Sequence, residues 1–444
     1  MPQRNCHRPE KCSHMTGWTL VSTAAELLAA ASEQDARIEI VGTVSGMPMT
    51  RLTPGVQLRG GELRFGAKGV QLTRDNALEN VRIVTPEHEL AILNDLDEHT
   101  LGKLVLTDVE TIGQVCLLAS GSVRSGRVDV DGLRVKRADL RGRSTRPRAY
   151  GVEAMQGAFT LWNRQADRSS VITGTLLGVS AGSPEAPIRG GGVFVAGTGA
   201  ESGQVKIDVL RTDEVHADGG IAPGTPDLIS GGVFVLSGAH VDEVINEAPV
   251  TTYGANDMVL DNWGRVRTWT ALGQVTSHGP SAIGCVNFGA IDDLSVNSAI
   301  ETHGSGARGF NLYDGSLRHA YFESIRTSGD GAVGIQVSKE LPEIEIDGDL
   351  VTSGGEGMSL VKGVQTKLKA SALSIQEGGH VGRISIGGRL ATLGDGVVTL
   401  DVNGRLDDLR VDRGIAALGK GSQAVQGDGR IGGLEAIPVE TSHS

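Results

Sequence analysis

Apolar and polar residues alternate in short runs along most of the chain. In Glu343-Ile344-Glu345-Ile346-Asp347 the acids take one face and the isoleucines the other. Arg127-Val128-Asp129-Val130-Asp131 and Arg383-Ile384-Ser385-Ile386 repeat the pattern. A period of two predicts strands with one buried and one wet face. The strands recur at a fixed interval, marked by a turn whose third residue is glycine: Thr252-Tyr253-Gly254, Ser277-His278-Gly279, Thr302-His303-Gly304, Thr327-Ser328-Gly329, Thr352-Ser353-Gly354, Thr392-Leu393-Gly394 and Ala417-Leu418-Gly419. By subtraction the glycine steps are 25, 25, 25, 25, 40 and 25 residues. Such a period predicts a solenoid, in which each coil buries its apolar face against its neighbours. A coil holds three short strands, as in Gly334-Ile335-Gln336-Val337, Glu345-Ile346 and Leu350-Val351-Thr352. Spacing by 25 places Val296, Tyr321 and Ile346 in one inward file and Leu294, His319 and Ile344 in another. Thr23-Ala24-Ala25-Glu26 is a capping box ahead of Leu27 to Ala31, so a short helix is expected near 23–31, covering the open solenoid end. A leucine-rich repeat is excluded by the lack of its leucine signature and of one helix per coil.

Composition agrees with many turns and an aliphatic core. Glycine numbers 64 of 444 residues, about twice the usual ~7% share, while aromatics are only 3%. The formal charge of −12 disfavours binding to a nucleic-acid backbone. The four cysteines are too few for a disulfide scaffold. Cys6-His7 and Cys12-x-His14 have no second half-site, so residues 1–17 are expected to be a flexible leader without metal. No secretory hydrophobic region and no apolar run of ~20 residues is present, so no membrane span is expected. As written, the chain is expected in the cytoplasm, with export by another route left open.

The opening, a cap helix followed by Ile38 to Val44, Leu52-Thr53-Pro54-Gly55-Val56-Gln57-Leu58-Arg59-Gly60-Gly61 and Asn80-Val81-Arg82-Ile83, resembles the right-handed parallel β-helix, or pectate-lyase-like, superfamily. The resemblance spans residues 18–424 architecturally and implies an all-β solenoid of about 13–15 coils, with 425–444 as a tail. Members are mostly polysaccharide lyases, glycoside hydrolases, epimerases and adhesins, which implies a carbohydrate-active protein. Specific family motifs are missing: Ser277-His278-Gly279 has none of the partner motifs of polygalacturonases around it, and the Asp-Pro-His-Asp of alginate epimerases is absent. Insertions are expected near 178–191, 219–231 and 358–372, the first two forming one loop wall beside the repeated Gly-Val-Phe-Val strands at 192 and 232.

Candidate chemistry gathers near those insertions. Of 15 aromatic residues, 13 lie between Tyr150 and Phe322, and Trp263, Phe288 and Tyr313 are 25 apart. Trp162, Trp263, Tyr313 and Asn311 are candidate substrate contacts, the rings as a platform for sugars or as internal support. Arg134, Lys136, Arg137, Arg141, Arg143, Arg146 and Arg148 crowd one span of an acidic chain. Guanidinium groups suit carboxylates, so Arg146 and Arg148 are candidate contacts to an anionic glycan. Asp257 and Asp261 are the candidate carboxylates of a hydrolase, and His216 or His278 the candidate base of a lyase. No cofactor or metal is indicated. The second reading is a non-catalytic β-helix that binds a polymer or partner, or serves as a scaffold. Whether a carboxylate pair, or a carboxylate and a histidine, meets an arginine in a groove separates the two.

Overall fold

A computed structural model describes residues 17–361 and 363–442. The expected leader, including Cys6, His7, Cys12 and His14, lies outside the described residues. The remainder is an all-β parallel β-helix. Fourteen successive strands, from Thr50–Arg51 to Gln423–Gln426, stack in parallel as one wall. A 26-stranded sheet forms the other two sides. Many of its strands, such as Thr100–Ile112 and Ala290–Thr302, pair with two successive strands of a neighbouring coil and so carry the chain round a bend. Inside, Val, Ile and Leu fill a continuous core. The helix Ala24–Ala31 closes the first coil. Thr23 caps it, with the reciprocal Glu26 bond of the capping box, and it buries Leu27 and Ala31.

The glycine turns stack in one file for a steric reason. A Cβ on Gly329 would lie 2.0 Å from the carbonyl oxygen of Gly304, and one on Gly354 would lie 1.9 Å from that of Gly329. Neither glycine has a positive φ. Close backbone approach, not left-handed geometry, demands glycine there. Backbone bonds run up the same corner, from Ser328 N–H to the Thr302 carbonyl and from Ser353 N–H to the Thr327 carbonyl, each at 2.9 Å.

The fold corrects several expectations. Ala290 pairs with Ser316, 26 residues on, because Gly315 adopts a φ of +70° and takes up one extra residue. The lost register returns after Phe322, which pairs with Ile346, 24 residues on. The inward files are therefore Val296–Phe322–Ile346 and Leu294–Ala320–Ile344. His319 and Tyr321 face outward, and the Tyr321 hydroxyl donates to Asp347 at 2.6 Å. The first coils are also short, since Ile38, Leu58 and Leu78 pair at 20-residue steps. Residues 178–191 form no long loop: strand Val171–Ala181 covers the first of them, and a tight Ser183–Ala186 turn follows. The chain after 424 is more solenoid, with Arg430–Ile431 and Val439–Thr441 paired to Arg405–Leu406 and Ile415–Ala417.

Candidate binding groove on the roofed face

The outer face of the fourteen-strand wall carries an outward file set by register. Phe194, Phe234, Asp261, Val286, Asn311 and Gln336 follow one another on successive strands. The residue stacked before Asp261 is thus Phe234, because loop 219–227 breaks the 25-residue step. A second file runs Met258, Ile283, Arg308, Val333. Most of these side chains are buried although they point away from the core, because three segments roof them.

The first roof segment is an arch over residues 138–156. Its arginine-rich sequence lacks apolar alternation, so it cannot continue the coil. Gln114 and Gln156 anchor its base through a side-chain bond of 3.0 Å, and its short strand Val152–Ala154 pairs with Leu228–Ile229. The second is loop 219–227, which carries Pro223 and Pro226. The third is the antiparallel hairpin Glu356–Val361 and Val364–Lys369, the expected insertion near 358–372. The hairpin is tied down by Leu360 N–H to Ser281 Oγ at 3.0 Å and by Ser359 Oγ to the Gly306 carbonyl at 2.8 Å. Its tip reaches the proline loop, since a Cβ on Gly363 would lie 3.1 Å from the Pro226 carbonyl.

Under this roof lies a row of spaces. Arg146, Arg148, Arg164, Trp162 and Trp263 line an open cleft of about 330 Å3 at one end. Beside it is a tight cavity of about 80 Å3, bordered by Tyr150, Met258, Asp261, Arg308, Tyr313 and Leu360 among others. Tyr313 also borders the next cleft, of about 410 Å3, which shares Gln336, Val361 and Gln376 with a last one of about 350 Å3. The row runs along the solenoid axis.

The aromatic side chains separate the first two spaces. Phe288 and Tyr313 stack with centroids 5.1 Å apart, and Trp263 meets Phe288 edge-on at 6.4 Å. Tyr150 comes down from the arch onto this ladder, 4.7 Å from Phe288 and 5.6 Å from Trp263, and its hydroxyl donates to the Phe288 carbonyl. Its φ of +52° is a conformation that a bulky residue rarely adopts, so the contacts hold it against local strain. Trp162 and Trp263 are only 5% and 4% exposed. They are not an open platform for sugar rings; they pack with Phe194, Phe234 and Met258 in a second apolar cluster under the roof. Trp162 donates to the Gly197 carbonyl at 3.0 Å, and the Arg164 guanidinium lies 5.1 Å from its ring centre.

The structure puts the acid–base candidates in separate places. Asp257 is fully buried and accepts N–H bonds from Gly254 at 2.8 Å and Gly219 at 3.3 Å, so it pins a turn to the proline loop. Burial pushes its carboxyl up to about 7, against those two bonds. Asp261, on the same strand, is also fully buried, and burial raises it well above the usual carboxylate range. Neither of its oxygens has a hydrogen-bond partner among the described residues; the Trp263 indole counters the shift without reaching hydrogen-bond geometry. His216 and His278 belong to another corner, a stack of His216, Tyr253, His278 and His303 on the glycine turns, with centroids 6.3, 5.3 and 5.1 Å apart. Burial lowers both histidines; Glu214 opposes this for His216, and His303 adds to it for His278. Neither histidine lines the row of spaces, so no carboxylate–histidine pair forms there among the described residues. His319, Glu343 and Glu345 bring ligand atoms within 4.8 Å of one another, on a different sheet from the groove.

Of the arginines, Arg146 lies 3.8 Å from Glu153 and also bonds the Arg143 and Arg141 carbonyls. Exposed Arg148 and Arg164 make no ion pair among the described residues. Four groups at the site were not singled out from sequence: Tyr150, Arg164, Ser281 and Arg308. Arg308 had a legible signal, a charge in the 25-residue file Met258, Ile283, Arg308, Val333 that is otherwise apolar. Comparison with protein-family models, curated proteins and solved structures found no match. Among the described residues no helix is long and apolar enough to cross a membrane.

Proposed function

We propose that the protein is a non-catalytic β-helix that binds an anionic polymer, an acidic glycan, along its roofed face. The observation that supports this most is the open cleft with three guanidinium groups, two of them without an ion pair among the described residues, at one end of a row of connected spaces. Guanidinium groups hold carboxylates or sulfates through charge-assisted bonds, and the axial run of the row suits an extended chain. The pectate-lyase-like resemblance of the opening belongs to the same proposal. Hydrolase or lyase chemistry is the weaker reading. Asp257 serves a turn, Asp261 has no second carboxylate beside it, and the histidines stand at another corner.

The test is an array of acidic and neutral glycans probed with wild type and with Arg148→Ala/Arg164→Ala. Binding is expected for acidic chains only, to weaken with salt, and to fall at least about tenfold in the variant. No new reducing ends or unsaturated ends should form. Binding that ignores both arginines, or turnover of any glycan, would overturn the reading.

A further inference from the structure

The tight cavity beside the arginine cleft holds two opposite charges that the protein leaves unpaired. Arg308 is 1% exposed. Its guanidinium makes a neutral contact, from Nη2 to Ser359 Oγ at 3.0 Å, and its Nε has no partner among the described residues. Asp261 is wholly buried with both oxygens unpartnered. Asn311, in the same outward file as Asp261, is wholly buried with both amide atoms unpartnered. Buried polar groups of this kind are normally satisfied, and an unpaired buried charge is costly. Three together at one small space mark a site that something else completes.

The two charges do not complete each other. Among the described residues no salt bridge joins Asp261 and Arg308. Through Ile283, Arg308 is in register with Met258, three residues before Asp261 and two strands away. The two side chains therefore reach in from opposite corners, with room for a molecule between them. The surroundings differ at the two ends. Tyr150, Phe288 and Tyr313 line the cavity together with Asp261, and aromatic faces attract cations, ammonium groups above all. Arg308 offers the fork that a carboxylate accepts. Met258, Ile283 and Leu360 leave little between the ends except apolar wall.

We propose that this cavity binds a small zwitterion, a compact amino-carboxylate whose carboxylate meets Arg308 and whose ammonium meets Asp261 and the rings. One molecule then satisfies both buried charges, which an anion or a cation alone does not. The volume of about 80 Å3 limits the ligand to a few heavy atoms. The hairpin and the proline loop close over it, so access requires the hairpin to lift. The inference does not rest on the polymer reading, which concerns the neighbouring cleft.

Calorimetry on the full-length protein with glycine, glycine betaine, acetate and methylammonium tests it. At least one zwitterion is expected to bind saturably, at least tenfold tighter than acetate or methylammonium. Asp261→Asn should melt at or above the wild-type temperature, since it removes an unpaired buried carboxyl, and should still lose zwitterion affinity at least tenfold. That pairing keeps the test independent of Arg308→Met, which could fail to fold. A crystal of wild type soaked with the better zwitterion should show it between Arg308 and Asp261. Absence of saturable binding by both zwitterions, equal binding by wild type and Asp261→Asn, or ordered water alone in the soaked cavity would overturn the proposal.

Discussion

Single residues in this protein are read by the face they occupy, and adjacent ones differ sharply. Ile346 is 1% exposed and packs between Phe322 and Ile386 of the neighbouring coils. Glu345, next to it, points outward toward His319. Ile346→Asp buries an unpaired charge and is expected to cost several kcal/mol, at least about 3, or to leave the protein insoluble. Glu345→Ala should change stability by about 0.5 kcal/mol or less. Thermal melts of the two variants check this, and equal losses would contradict the alternation. Asp257 makes a second residue-scale prediction. Its folded carboxyl is pushed up to about 7 by burial, above the value of an unfolded aspartate near 4. Between those values the folded state holds the extra proton, so stability falls as pH rises from about 4 to about 7 and then levels. At about 1.4 kcal/mol per unit the loss is on the order of a few kcal/mol. Asp257→Asn keeps an acceptor for Gly219 and Gly254 and should flatten the slope in urea titrations at pH 5 and pH 8; Asp261 acts in the same direction and leaves a remainder. A wild type more stable at pH 8 than at pH 5 would count against this.

At the scale of the turn, glycine is a packing requirement. The carbonyl of Gly304 would lie 2.0 Å from a Cβ on Gly329, and a backbone atom cannot move aside. Gly142 in the arch has nothing within 4 Å of where a Cβ would sit, and no positive φ. Gly329→Ala is therefore expected to lower the melting temperature strongly, by several kcal/mol of stability, and Gly142→Ala to be near neutral. Similar melting temperatures for both would show that the turn file can spread. The same scale explains the misplaced inward file: a single residue at Gly315 moves 316–322 to the opposite face, because strand faces alternate with a period of two.

For the whole molecule, the sequence by itself determined the solenoid, the cap helix and the stretch of chain where arginines and aromatics gather. The 25-residue period, the alternation in runs such as 343–347 and the capping box at Thr23 are local or strictly repeating, and they survive without knowledge of tertiary contacts. The sequence also marked the aromatic ladder of Trp263, Phe288 and Tyr313. Only the tertiary structure decided where those groups sit and what surrounds them. Trp162 and Trp263 read as a platform until an arch, a proline loop and a hairpin from distant coils cover them. Asp257 and Asp261 read as a pair until their environments separate them, one pinning a turn and one left without a partner. Arg308 reads as a break in an apolar file, and becomes a buried charge opposite Asp261 only when residues 356–369 fold across the coils before them. Periodicity fixes which residues share a face, because every coil repeats the same geometry. Which face is roofed depends on insertions that obey no period, and so it is settled by contacts between segments far apart in the chain.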